Sequence, residues 1–166
     1  MILKNYTTNK NYLRTISEIE QLLAEVGAKK ILKEYNDQKE VFALSFIILF
    51  KEQEIPIRLP ARVDRIPAAL RNHYNNNTSL TSSQRSLIKS AMSDPERARN
   101  IGWRIVQDWL ESNLAIMSLD QINLLEALLP FTQWGKNGMT LYDLLEQQDF
   151  NPQKLGKALL LEHKGE

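Results

Sequence analysis

The 166-residue chain holds 43% hydrophobic and 25% charged residues at a formal net charge of +1, values of an ordinary globular domain able to bury a core without staples. It contains no cysteine, which excludes disulfides, thiolate catalysis and cysteine metal sites together. No window approaches the ~18 uninterrupted apolar residues of a membrane helix, and the opening MILKNYTTNKNY lacks a secretory signal's apolar core and cleavage site; a cytoplasmic protein with no membrane partner is the expectation.

In chain order, Thr15 and Glu18 have the Thr-x-x-Glu spacing of a capping box. Ile16, Ile19, Leu22, Leu23 and Val26 recur behind them at helical spacing, and Gly27 is placed to end that helix in a left-handed conformation. Three extended segments follow. Lys30 to Tyr35 is closed by the turn Asn36-Asp37-Gln38-Lys39. Glu40 to Phe50 alternates Phe42, Leu44, Phe46, Ile48 and Phe50 with smaller or aliphatic residues, predicting a central strand with both faces at least partly covered. In the third, around Ile55, Ile57 and Leu59, Pro56 and Pro60 confine the strand to a sheet edge.

The remainder reads helical. Arg62 to Tyr74 carries Val63, Ile66 and Leu70 at helical spacing, with Pro67 starting or bending the helix. Asn75 to Ser79 is a polar break, and an amphipathic piece follows around Leu87, Ile88 and Ala91. Ser93-Asp94-Pro95-Glu96 opens a long helix to about Met117. Ser118 is read as the cap of a helix through Leu129, residues 135–138 as a turn, Thr140 to Asp143 as the start of another helix, and Asn151-Pro152 as the start of the last. The expected fold class is α+β: a three-stranded antiparallel meander packed with helices, then a helical C-terminal half. A single domain is expected, with helix, sheet and helix over 1–74, a loop and short helix over 75–94, and a helical part over 95–166.

Catalytic equipment is sparse. The two histidines, His73 and His163, are too few for a nitrogen-ligated metal site, and His73 is read as a solvent-facing residue at a helix end. No Gly-x-Ser-x-Gly elbow and no glycine-rich phosphate loop occurs. The pairs Asp108/Glu111 and Asp143/Glu146 each share a helix face, but such a face must be polar anyway. The expectation is a non-enzymatic protein without cofactor or metal, a hydrolase using Asp108 or Glu111 being the remote alternative.

Charge is distributed unevenly. Residues 1–57 are balanced, 58–104 carry +6 and 105–166 carry −5. The middle segment holds Arg58, Arg62, Arg65, Arg71, Arg85, Arg97, Arg99 and Arg104, the candidate nucleic-acid-binding set. On the long helix, Ile101, Ile105, Trp109, Trp103, Val106 and Leu110 cover more than half the circumference, which makes it a central post with the tryptophans as core anchors. Its narrow polar face places Arg97 and Arg104 before Asp108 and Glu111, against the preference of the helix dipole. A receiver outside the helix is therefore expected. Three fit: phosphates of a nucleic acid, the acidic C-terminal third, or a protein partner, including a second copy docked head to tail.

Gly102-Trp103-Arg104-Ile105-Val106-Gln107-Asp108-Trp109, Leu128-Leu129-Pro130-Phe131 and Gly138-Met139-Thr140-Leu141-Tyr142, with Lys4-Asn5-Tyr6-Thr7-Thr8, Gly27 to Ile31 and Ile57 to Ala61, carry a likeness over most of the chain. It resembles a family of small uncharacterised proteins encoded in bacteriophages, prophages and related mobile elements. The resemblance implies a setting, a cytoplasmic mobile-element protein among neighbours that handle DNA, and no residue role. A helix, a three-stranded meander and a helix also occur in double-stranded-RNA-binding domains and in single-strand annealing proteins, an analogy of architecture alone. The expected function is an accessory protein contacting nucleic acid through the arginine-rich segment; the alternative is an adaptor or inhibitor acting on a host or phage protein.

Overall fold

The computed structural model describes residues 5–134 and 138–151. The helix expected from Asn151-Pro152 and most of the turn over 135–138 lie outside the described residues, as does His163.

Helix α1 (Tyr12–Glu25) begins one turn before the Thr15 cap the sequence suggests. Asn11 is its N-cap and accepts from the Leu13 amide at 2.9 Å. The Tyr12 amide donates to Asn100 at 2.7 Å, a partner 88 residues away. Thr15 is fully buried within the helix, and Glu18 is bound by Lys10 and Gln107 instead of reaching back to a cap. The C-terminus follows expectation: Gly27 has φ +86°, its amide donates to Ala24, and the Ala28 amide donates to Leu23 at 2.9 Å. These paired bonds satisfy the last carbonyls of the helix.

Strands β1 (Lys29–Tyr35), β2 (Val41–Phe50) and β3 (Gln53–Pro60) form an antiparallel sheet in that order. Between β1 and β2, Asn36 closes the turn by accepting from the amides of Gln38 and Glu40 at 3.0 and 2.9 Å. Leu44, Phe46 and Ile48 stand opposite Leu59, Ile57 and Ile55, and the first three are buried in one cluster with Ile16, Ile19 and Leu23 of α1. The alternation breaks at Phe42. Glu34 pairs with Ala43 but Tyr35 with Val41, so Phe42 is an extra residue in β2. Such a bulge reverses the side-chain order locally: Val41 enters the core and Phe42 is 36% exposed. β3 lies at the edge its prolines require, and on its outer side Ile57 bridges to Thr132.

The chain then makes a 3-10 turn at Val63–Arg65 and enters α2 (Ile66–Asn76), with Pro67 in the first turn. Helix α3 (Ser82–Ser93) is opened by a capping box of Thr81 and Gln84 and packs against α2 as a helical hairpin. Asp94 caps α4 (Pro95–Met117) by accepting from the amides of Glu96 and Arg97. Ser118 proves to end α4, its amide bonded to Leu114. The next helix, α5 (Leu124–Leu128), is capped by Asn123 and is shorter than expected. A small hairpin, β4 (Gln133–Trp134) with β5 (Met139–Thr140), precedes α6 (Leu141–Gln147), which Thr140 and Asp143 cap as the sequence suggests.

Helix α4 is shared by two cores. Trp103 and Leu110 join the sheet and α1, whereas Ala98 and Ile101 join Leu70, Ile88 and Ala91 of the α2–α3 hairpin. The Trp103 indole N–H donates to the Val41 carbonyl at 3.3 Å. Among the described residues, no helix is long and apolar enough to cross a membrane.

Candidate nucleic-acid interface

The eight arginines divide into two groups by what reaches them. Arg58, on β3 opposite Ser45, donates through Nε to both carboxylate oxygens of Glu34 at 3.0 Å. Its guanidinium lies 5.4 Å from the centre of the Phe42 ring. Burial alone would push the Glu34 carboxyl up, but hydrogen bonds from Arg58 and Ser45 together outweigh it and hold the group below its ordinary 4.5. Arg99 is paired with Glu40 and lies 5.4 Å from the Tyr12 ring. Arg104 bonds Asp108 at 2.9 Å and Gln107 at 3.1 Å. Arg97 donates to Ser90 at 3.3 Å, while its Nε and Nη2 are enclosed without a partner among the described residues.

Of the two arginines set against the dipole of α4, Arg104 meets a carboxylate inside the protein and Arg97 meets none among the described residues. Arg104 finds its acid one turn further along α4, and the carboxylates serving Arg58 and Arg99 come from the β1–β2 hairpin, not from the acidic C-terminal third. The two acids singled out for chemistry are similarly engaged. Asn5 donates to Asp108 at 2.8 Å, and Gln107 donates to Glu111 at 2.8 Å and to Glu18 at 3.0 Å. Lys10 first, then Gln107, lower the Glu18 carboxyl below its ordinary value. His73 corrects a further expectation: it is 4% exposed and stacks 5.5 Å from the Tyr6 ring. Among the described residues no three His, Asp or Glu gather as metal ligands do.

The other group is Arg62, Arg65, Arg71 and Arg85, joined by Lys89. No ion pair among the described residues involves any of them. The reason is compositional: between Asp64 and Asp94 the chain has no acidic residue. At 100° per residue, Pro67, Arg71 and Tyr74 occupy an arc of roughly 60° on α2, and Arg85, Lys89 and Met92 an equal arc on α3. The two arcs adjoin, because Arg85 and Lys89 sit 5.0 and 5.6 Å from the Tyr74 ring. Arg85 also donates to the Asn77 carbonyl at 3.2 Å. Its hydrogen bond, with help from Lys89, pulls the Tyr74 phenol below its ordinary value. The result is one cationic strip along the hairpin. Sequence reasoning named Arg71 and Arg85 but missed Lys89; the acid-free run was the signal for it.

At the α4 end of the hairpin the strip meets a cleft of about 680 Å³. A smaller hollow of about 270 Å³ shares Arg58, Pro60, Arg62 and Asp143 with it. Arg62 turns the chain between them with φ +47°, a left-handed conformation that costs a non-glycine residue about 1 kcal/mol. Asp143 accepts from the Thr140 amide at 3.0 Å, and that bond holds its carboxyl below the ordinary 3.8. Of the sequence-derived set, Arg58, Arg62 and Arg99 line the larger cleft and Arg65 the smaller, so the structure gathers half of the arginines and spreads the rest. Comparison with family models, with curated proteins and with solved structures yields no match to this chain.

Proposed function

We propose that this protein is a non-enzymatic accessory factor, of the mobile-element kind it resembles, that works in the cytoplasm by binding the phosphate backbone of a nucleic acid on the α2–α3 hairpin. One observation carries the reading: Arg71, Arg85 and Lys89 stand on a helical hairpin, with Arg65 in the turn that enters it, and this run has no carboxylate between Asp64 and Asp94 and no ion pair among the described residues. Arginine and lysine left without a carboxylate partner suit phosphate, since guanidinium forks match its oxygens and releasing condensed counterions drives association. Arg58, Arg99 and Arg104 become scaffolding in this reading, their charge already spent on Glu34, Glu40 and Asp108.

A salt titration of oligonucleotide binding, followed by fluorescence anisotropy, tests it. Each phosphate neutralised adds about 0.7–0.9 to the slope of log K against log salt, so three or four contacts predict a slope near −3. Replacing Arg71, Arg85 and Lys89 together by Glu abolishes binding at moderate salt. Absence of binding at low salt, or a triple variant that binds as wild type, ends the reading.

A second reading, contact with a host or phage protein, has its own observation. Leu32 and Leu49 on the outer face of the sheet are 63% and 54% exposed, with Ile47 half-buried between them. A discrete complex that Leu32→Ser and Leu49→Ser together dissolve, leaving oligonucleotide binding intact, would favour it.

A further inference from the structure

The cleft and the strip are continuous, and we infer that together they accept a single-stranded nucleic acid, with one unstacked base in the cleft and the neighbouring phosphates along the hairpin. The inference rests on the nucleic-acid reading above. Pro67 of α2 and Met92 of α3 both line the cleft. One turn onward from Pro67 stands Arg71, and nearly one turn back from Met92 stands Lys89, followed by Tyr74 and Arg85. From Pro67 to Tyr74 the helix rises about 10 Å at 1.5 Å per residue. A flexible strand can follow that path and turn inward at its end. A duplex cannot, because its bases remain paired and stacked.

The lining favours a base over a phosphate. The cleft of about 680 Å³ lies within the roughly 300–1,000 Å³ typical of pockets that enclose small organic bodies. Phe42, pushed outward by the bulge, lines the cleft and carries the Arg58 guanidinium at 5.4 Å, and Glu34 holds that guanidinium with two bonds of 3.0 Å. Bases stack on aromatic rings and on arginine planes alike. Asp64 and Asp143 also line the cleft. With Glu40 and Asp94 they set four carboxylates against the guanidiniums of Arg58, Arg62 and Arg99, which leaves no excess of positive charge to draw a phosphate in, while carboxylates accept from the amino and imino groups on base edges. The phosphates are thereby directed outward, to the acid-free hairpin. Tyr74, half-buried between two cations, offers a second stacking surface further along.

The test compares a labelled single-stranded 12-mer with the same sequence as a duplex, by anisotropy at low and moderate salt. The single strand binds roughly tenfold more tightly, as one stacked base allows. Phe42→Ala removes that advantage while leaving duplex affinity and salt slope unchanged, and Phe42→Tyr restores it. Met92→Trp, which fills the cleft from the helical side, gives the same loss if Phe42→Ala fails to fold by circular dichroism. Equal affinity for both forms, with Phe42→Ala and Met92→Trp silent, overturns the cleft assignment and leaves the phosphate reading standing. If neither form binds, both readings fall.

Discussion

A charged residue is defined by what reaches it, and the arginines show this most plainly at Arg58. Its guanidinium makes bidentate contact with Glu34 while both side chains are about a quarter exposed, so Glu34→Gln should cost about 1–2 kcal/mol at neutral pH, a charge-assisted bond being worth somewhat more than a neutral one. The pH dependence has a definite sign. Glu34 and Asp143 have folded values below their ordinary 4.5 and 3.8, so the folded state holds their protons less tightly than the unfolded chain. The stability they confer is complete above those ordinary values and disappears as pH falls through the lower, folded ones. Thermal melting should therefore show wild type losing stability on acidification below about pH 4.5, with a shallower loss in Glu34→Gln; identical acid profiles would refute the assignment. None of this pairing was legible from sequence, because Glu34 and Arg58 are 24 residues apart and Glu40 and Arg99 are 59 apart. Local signals fared better. Asp94 and Thr140 cap their helices as spacing implies, whereas Thr15 lies fully buried inside α1 with its hydroxyl donating to the Asn11 carbonyl, and Asn11 caps the helix instead.

Elements are placed here by a few close approaches. At Gly102, a Cβ would lie 3.1 Å from the Val63 Cγ2 and 3.5 Å from the Ala61 carbonyl, so α4 can lie directly on the segment that enters α2. Gly102→Leu cannot be accommodated without moving that segment, and overpacking of this kind costs roughly 1–3 kcal/mol. A denaturant midpoint equal to that of wild type would contradict the contact. The same segment carries Arg62 and leads into Pro67, so the variant should also disturb the cleft wall. Alternation in β2 was readable from the sequence and correctly placed the strand at the centre of the sheet. The bulge at Phe42 was not, since nothing in Glu40-Val41-Phe42-Ala43 marks which residue lacks a partner; the register against β1 decides it. That unmarked step supplies the cleft's aromatic lining.

At the scale of the whole molecule, α4 ties a sheet-based core to a helix-based one. Its Trp103 and Leu110 belong to the first, its Ala98 and Ile101 to the second, and Val63 packs against both. The periodicity of α4 announced a central post, because apolar residues over more than half its circumference require neighbours on several sides. With one helix forming a wall of both cores, neither can be lost alone without exposing apolar surface of the other. The hairpin that carries the unpaired cations should then unfold with the sheet in a single cooperative transition, despite having few polar contacts to the rest. Trp103→Ala removes a fully buried indole and its bond to Val41, at a cost of about 3–5 kcal/mol. The loss should lower the stability of the hairpin as much as that of the sheet. Hydrogen exchange measures this directly, since amides of α3 and of β2 should open with the same free energy and fall by the same amount in the variant. If α3 exchanged far faster than β2 and ignored the substitution, the hairpin would be an independent arm. Its cations would then be presented on a mobile element, and affinity would carry an ordering cost that the rigid surface avoids.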